Sequence, residues 1–372
     1  MRCFFRNTVF VFLSLWLQSV TTAYSQQPYR ERLDSIVKIE YHNGDTTHIS
    51  SISKYVFSYL SDNRVLSRED CYVHYSTDKE VSNEHVLWYV YDDEAPRICK
   101  TILAESGRPV LETTMEYDKK GNLTMKQVRN VNNEKHGHFR QTCYGYTKDG
   151  RIKSSHTCLN TPYRGEKELV GRSVYEYTKT GVLKRCFLFR PKNEAARLNV
   201  DENFCKNKYW KKDGQILWDE EGRFVLCQQT GGDTISCQYN EKALLKQITQ
   251  NNALGTENTF FDFDEKGNLI TACSPGLAGR NYNCLVSYDT EKPSSEIAGL
   301  ADWTKYVPGN EICRLLNLRS RLKDIGINDF LTFHSKVLCI KETSDVMGCV
   351  VMFYYSPITS GAINFAMPHL LN

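Results

Sequence analysis

The chain has 372 residues, 41% of them hydrophobic and 24% charged, so it can bury a sizeable core and lacks the composition of a disordered protein. Its 47 Lys and Arg exceed its 44 Asp and Glu by three, and two of the arginines lie in a leader expected to be removed, which leaves 45 against 44. A balance so close to neutral excludes the strongly basic footprint of a general nucleic-acid binder.

In chain order, residues 1–25 come first, with a basic start (Arg2, Arg6), an apolar stretch from Thr8 to Leu17 and a small-residue exit at Ala23-Tyr24-Ser25. That order predicts a secretory signal peptide and therefore an extracytoplasmic protein, in the periplasm, at the cell surface or secreted. The apolar stretch is about half of the roughly 20 residues that a spanning helix needs. Cys3 precedes it, whereas a lipoprotein cysteine follows the cleavage point.

A repeat follows: an aromatic, three residues, usually Gly, one residue, then an aliphatic or aromatic. The best copy is Tyr117-Asp118-Lys119-Lys120-Gly121-Asn122-Leu123, and Phe263-Asp264-Glu265-Lys266-Gly267-Asn268-Leu269 nearly repeats it. Further copies run from Tyr146 to Gly150 and Ile152, Tyr177 to Gly181 and Leu183, Trp210 to Gly214 and Ile216, and Trp218 to Gly222 and Phe224. Weaker ones start at Tyr59, Tyr91 and Tyr239, with Ala243 in the glycine's place in the last. An Asp at the second position caps a turn with its carboxylate, and Gly at the fifth takes positive φ without steric cost. Each copy therefore predicts a hairpin turn with a bulge, Tyr117 standing opposite Leu123 and Met115 opposite Met125. Leu111, Thr113, Met115 and Tyr117 alternate with Glu112, Thr114 and Glu116, the pattern of a half-buried antiparallel strand. Two copies eight residues apart predict a three-stranded meander over residues 208–226, with Trp210, Ile216, Trp218 and Phe224 on one face and both tryptophans in the core.

Tyr117-Asp118-x-x-Gly121-x-Leu123 and its relatives resemble the YD motif of RHS/YD-repeat proteins, over roughly residues 55 to 290. The resemblance implies antiparallel hairpins wrapped into a curved sheet or shell, often on the cell surface and sometimes carrying a toxin. Thr147, Thr178, Lys211 and Asn240 replace the Asp, the spacing is longer than the family's, and no Asp-Pro-x-Gly boundary occurs. No catalytic residue carries over.

The pattern changes near Lys292, where Pro293-Ser294-Ser295 reads as a turn. Asn310 is placed to cap a basic amphipathic helix from Glu311, with Ile312, Leu315, Leu316, Leu322 and Ile325 near one face and Gly326 at its end. It would cap the open end of the repeat sheet. Val346 to Tyr355 reads as a buried strand, since Pro357, Gly361 and Pro368 stop any extension to spanning length. No transmembrane helix is expected in the mature chain. A mean hydropathy of −0.49 and an end without a terminal aromatic weigh against a spanning β-barrel.

Thirteen cysteines follow the leader, and three pairs flank predicted hairpin loops as disulfide candidates: Cys227 with Cys237, Cys273 with Cys284, and Cys339 with Cys349. His136-Gly137-His138 reads as a solvated loop, and His334 and His369 accompany no nucleophile motif. Acidic pairs such as Asp92-Asp93 and Glu220-Glu221 fall at turns. No phosphate loop, dinucleotide fingerprint or Cys-x-x-Cys occurs, so no cofactor or metal is expected.

The sequence thus predicts a mainly β fold of antiparallel hairpin and meander repeats, forming an extended curved sheet or partial barrel with a small C-terminal α/β segment. Its parts are a signal peptide (1–25), a repeat domain (26–291) and a C-terminal capping segment (292–372). The expected function is that of an exported binding or structural protein of the bacterial envelope with a glycan or protein partner. The competing expectation is a small secreted enzyme or toxin with its active residues in the C-terminal segment.

Overall fold

The computed structural model describes residues 30–358, apart from 43–47, 77–78, 94, 96, 132–138, 161–166, 199–208, 254, 276–281, 299, 301–332 and 345–346. The described chain is almost entirely strand. In order these are β1 (Glu31–His42), β2 (Ile49–Tyr59), β3 (Val65–Ser76), β4 (Lys79–Tyr91), β5 (Ile98–Glu105), β6 (Arg108–Tyr117) and β7 (Leu123–Asn130). There follow β8 (Phe139–Tyr146), β9 (Ile152–Asn160), β10 (Lys167–Tyr177), β11 (Leu183–Pro191), the short helix α1 (Glu194–Leu198), β12 (Trp210–Trp218), β13 (Phe224–Gln229) and β14 (Thr234–Tyr239). The last are β15 (Leu245–Asn252), β16 (Gly255–Phe263), β17 (Leu269–Ser274), β18 (Tyr282–Pro293), β19 (Ile297–Ala298), β20 (Ser335–Ser344) and β21 (Met347–Pro357).

From β1 to β18 each strand pairs antiparallel with the next, β18 pairs with β20, β20 with β21, and β21 with β1 from Glu31 opposite Pro357 to His42 opposite Met347. The result is a closed barrel of 20 antiparallel strands, where the sequence predicts an extended curved sheet or a partial barrel. Strand β19 lies outside this ring and runs parallel to the start of β1. The terminal hairpin expected after residue 292 is present, but it forms part of the barrel wall and completes it. The helix expected from Asn310 to Gly326 lies outside the described residues, as do the signal peptide, His136, His138 and His369.

Ten copies of one pairing make the ring, and each places an aromatic of one strand opposite an apolar residue at or near the start of its partner: Tyr59 with Val65, Tyr91 with Ile98, Tyr117 with Leu123, Tyr146 with Ile152, Tyr177 with Leu183, Trp218 with Phe224, Tyr239 with Leu245, Phe263 with Leu269, Tyr288 with Val337, and Tyr355 with Leu33. The last pair is the seam. A register shift accompanies it between Leu33 and Ser35, as one does beside Tyr117 in the unbroken copy. The first and last strands thus rebuild the repeat from two pieces of chain with no turn between them.

The turns match the expected chemistry. The fifth position has positive φ at Gly121 (84°), Gly150 (83°) and Gly267 (82°), and also where the residue is Asn63 (65°) or Ala243 (62°). Asp118 Oδ1 accepts the Lys120 and Asn122 N–H groups at 2.8 and 2.9 Å. Where Asp is replaced the acceptor survives, as Thr147 Oγ1 to Arg151 N and Thr178 Oγ1 to Val182 N (both 3.0 Å), and Asn240 Oδ1 to Leu244 N (2.9 Å).

Two expectations are corrected. Glu116, not Met115, stands opposite Met125, because Thr124 is an extra, bulged residue that shifts the alternation; Met115 faces Lys126. The copy from Trp210 through Gly214 to Ile216 is no turn at all, since these residues lie in the single strand β12. Gly214 serves close approach instead: a Cβ there would fall 2.3 Å from the Gln228 carbonyl oxygen. Trp210 accordingly leaves the face of Ile216, Trp218 and Phe224 and packs with Cys158 and Leu169. Both tryptophans are buried, as expected.

Candidate functional site

In a closed sheet the two faces are unlike, because one is enclosed. The repeat aromatics project from the inner face, with Leu33, Ile36, Leu269, Val337, Ile340 and Val351 among the fully buried residues of the same cluster. Their hydroxyls share one use. Each donates to the backbone carbonyl of the first residue of the preceding hairpin's return strand: Tyr91 to Val65, Tyr117 to Ile98, Tyr146 to Leu123, Tyr177 to Ile152, Tyr239 to Phe224 and Tyr288 to Leu269, at 2.7 to 2.9 Å. On either side of the seam Tyr355 donates to Val337, and Tyr59 to Leu33. Phe263 has no hydroxyl, and the Nε1 of Trp218 is buried without a partner.

A second ladder runs beside the first. The residue just before the paired aliphatic is often cationic, and Arg32, Arg64, Arg97, Arg151, Arg223 and Lys336 sit 4.3 to 5.5 Å from the ring centroids of Tyr59, Tyr91, Tyr117, Tyr177, Tyr239 and Tyr355. Burial raises the phenols of Tyr59, Tyr239, Tyr288 and Tyr355, and pushes Tyr177 up to about 12, so each stays protonated and able to donate.

The remaining candidates resolve into structural roles. Asp92 pairs with Arg97 at 2.7 Å and Glu221 with Arg223 at 3.0 Å, both within turns. The His334 N–H donates to Asn268 Oδ1 at 2.8 Å, and its ring lies 3.3 Å from where a Cβ on Gly267 would be. Asn268, fully buried, also donates to Asp264 (2.8 Å) and Ser335 (3.0 Å), so it fastens the start of β20 to the Gly267 turn. Among the described residues no three His, Cys, Asp or Glu converge to hold a metal.

All six candidate cysteines are free thiols. Cys284 stands opposite Ala272 while Cys273 stands opposite Asn283, which puts the two on opposite faces of the sheet. Cys339 and Cys349 are likewise on opposite faces, paired with Met352 and Glu342. Cys227 and Cys237 share the inner face, but Cys227 is opposite Ile235. A hairpin brings two cysteines into disulfide reach only when they occupy directly opposed positions, and none of the three pairs does. Burial pushes the thiols of Cys186 and Cys237 up to about 12, leaving them neutral core fillers.

The outer face carries the accessible chemistry. Glu112 bridges Lys100 (2.8 Å) and Arg129 (3.2 Å) across β5, β6 and β7. Asn258 accepts from Thr249 (2.7 Å) and Gln247 (2.9 Å) between β15 and β16, and Gln215 donates to Gln228 (3.3 Å) between β12 and β13. Sequence alternation alone identified Glu112, Thr114 and Glu116 as outward; the amide and hydroxyl ladders depend on register and were not visible.

No family model matches the chain, and no curated protein matches it in sequence. Among solved structures it is similar to a porin-like protein from Bacteroides uniformis (8% identity, TM-score 0.34, covering 87% of this chain and 98% of that one). It is also similar to TcdB2-TccC3 without its hypervariable C-terminal region (9% identity, TM-score 0.28, 68% of this chain and 19% of that one) and to the Photorhabdus luminescens Tc holotoxin pore (12%, 0.25, 68% and 16%). The chain thus spans less than a fifth of the toxin chains. At these scores the likenesses carry no argument. The class of protein is defined by the coordinates themselves: a closed all-antiparallel β-barrel.

Proposed function

We propose that the chain is an exported, non-enzymatic β-barrel protein of the bacterial envelope, built from RHS/YD-like repeats, whose outer wall is presented to a glycan or protein partner. The observation that carries this reading is the division of labour between the two faces. Repeat tyrosines and turn carboxylates are consumed by the ring itself, whereas the outer wall holds the ion pairs and amide ladders of Glu112, Asn258 and Gln215. A barrel in contact with lipid needs an apolar outer band about 25 Å tall, with polar side chains turned inward. Those polar rows support a wall that faces water in their sector, while Phe260, Ile270, Leu285, Leu338 and Tyr354 are exposed elsewhere on the barrel. No helix among the described residues is long and apolar enough to cross a membrane.

The test takes the mature chain purified without detergent and screens it in parallel against glycan arrays, envelope extracts and hydrolase substrates. Binding without turnover is expected. Turnover abolished by one Asp, Glu, His or Cys substitution in a folded protein would replace this reading with an enzyme, and quantitative partition into lipid vesicles would replace it with a membrane barrel.

A further inference from the structure

The outer face of β10, β11 and β12 differs from the rest of the wall. Three register rows cross it: Arg172 opposite Phe189 opposite Lys212, Val174 opposite Phe187 opposite Gln215, and Glu176 opposite Arg185 opposite Leu217. Phe187 and Phe189 lie with ring centroids 6.4 Å apart. Cations surround them, with Arg185 Cζ 5.3 Å and Lys212 Nζ 4.8 Å from the Phe187 centroid, and Arg172 Cζ 6.0 Å from that of Phe189. Three cations gather here around two rings, whereas Lys100 and Arg129 converge on the carboxylate of Glu112.

We infer that this patch is a binding site for an acidic polysaccharide, and the inference rests on the binding reading proposed above. An arginine stacked on a ring keeps its outer N–H edge in a fixed orientation, ready for a carboxylate or sulfate, at low entropic cost. Arg185 is placed in this way, with its Cζ 5.3 Å from the Phe187 centroid. Glu176 is the one carboxylate in the three rows, so the patch retains positive charge. Lys212 also donates to Gln215 (3.2 Å), and Gln215 to Gln228 (3.3 Å), which sets amides suited to sugar hydroxyls beside the cations. An acidic peptide is disfavoured because all three strands are paired on both sides, and a closed ring offers no edge to which a peptide could add as a strand.

The experiment uses the mature chain and measures binding to fluorescent polygalacturonate, heparin, neutral dextran and polyglutamate at two salt concentrations. Binding to polygalacturonate or heparin is expected, weakened by salt, and reduced at least tenfold in a triple variant (Arg172→Gln, Arg185→Gln, Lys212→Gln). Lys242→Gln, in an exposed turn, should leave it unchanged. Circular dichroism confirms that each variant is folded, and Arg185→Gln alone serves if the triple variant is not. Polygalacturonate against heparin separates carboxylate from sulfate recognition. Equal affinity for dextran or polyglutamate, or an unaffected triple variant, overturns the assignment. If no acidic chain binds but another glycan or protein does, only this inference falls; if a polymer is cleaved, the non-enzymatic reading falls instead.

Discussion

Strands β6 to β8 and strands β20, β21, β1 and β2 share one repeat geometry and differ in what lies behind it. The Tyr117 and Tyr146 copies make the same bulged pairing and the same hydroxyl-to-carbonyl bond as the Tyr288 and Tyr355 copies, although only the first two close it with the tight turn. Yet no described residue of β6, β7 or β8 is buried, whereas around the seam Leu33, Ile36, Val337, Ile340 and Val351 are fully enclosed. The local motif therefore builds wall without needing core. Core is added where chain folds over the inner face, as Ile297, Ala298 and Leu300 do near β1 and Phe333 does against Tyr288. One sector is held mainly by local pairing, the other by pairing and burial together.

Truncating equivalent residues should expose that difference most. Leu269→Ala removes a fully buried side chain and should destabilise by about 3 kcal/mol, while Leu123→Ala at the half-buried equivalent should cost about 1 kcal/mol. Urea unfolding of the two variants measures both, and equal losses would mean that the sectors do not differ in packing. The next pair is Asn268 and Asn122. Asn268→Ala strands two backbone N–H groups and the Ser335 hydroxyl, at a cost of about 2 to 3 kcal/mol; Asn122→Ala, whose amide bonds only Asp118 among the described residues, should cost under about 1 kcal/mol. Gly121→Val should cost about 1 kcal/mol through positive φ alone, since the nearest atom to a new Cβ is the end of Arg97 at 3.4 Å.

Acid should act on the seam. Burial raises Glu31, but its bonds to Lys292 and Lys336 outweigh that and hold its carboxyl below its ordinary value of 4.5; Lys38, 2.6 Å away, and Ser51 do the same for Glu40. A carboxyl depressed in the folded state adds stability that is complete above its ordinary value and lost as pH falls through the folded one. Hydrogen exchange along β1 should therefore quicken below about pH 4 more than along β17, which carries no such ion pair among the described residues. Uniform quickening would remove the seam's special dependence on charge.

Much of the architecture was legible because the turn is local: Asp118, Gly121 and Leu123 sit within seven residues, and cap, positive φ and pairing follow from them. The tenfold ring was not. Tyr288 meets Val337 only after a long insertion, so the pattern changes near Lys292 before the copy is complete, and Tyr355 meets Leu33 across nearly the whole length of the chain. Closure is a property of the strand total and stagger, which no single turn contains. Gly214 taught the converse, because a glycine four residues after a tryptophan satisfied the spacing while serving close backbone approach within a strand. One bulged residue misplaced Met115, whereas the cysteine pairs failed because flanking a loop fixes neither face, as at Cys273 and Cys284, nor register, as at Cys227 and Cys237. The cationic patch on β10 to β12 was invisible for want of register, since Arg172, Phe189 and Lys212 are far apart in sequence.

The smallest expected effect is the most direct test of the ring as a unit. In eight copies an aromatic hydroxyl reaches the carbonyl that opens the preceding return strand; at Phe263 that carbonyl belongs to Leu245, and the hydroxyl is missing. The two neighbouring copies, Tyr239 and Tyr288, place their hydroxyls 2.7 Å from their acceptors, and Phe263 packs against the same cluster as they do. Phe263→Tyr should therefore complete the bond without rearrangement and stabilise the barrel by about 0.5 to 1 kcal/mol, a typical net gain for one hydrogen bond. Tyr239→Phe in the same background should lose a similar amount. A destabilised Phe263→Tyr would show that the hydroxyl meets no acceptor there, so that the ring is a set of separate bonds rather than one repeated geometry carried around the barrel.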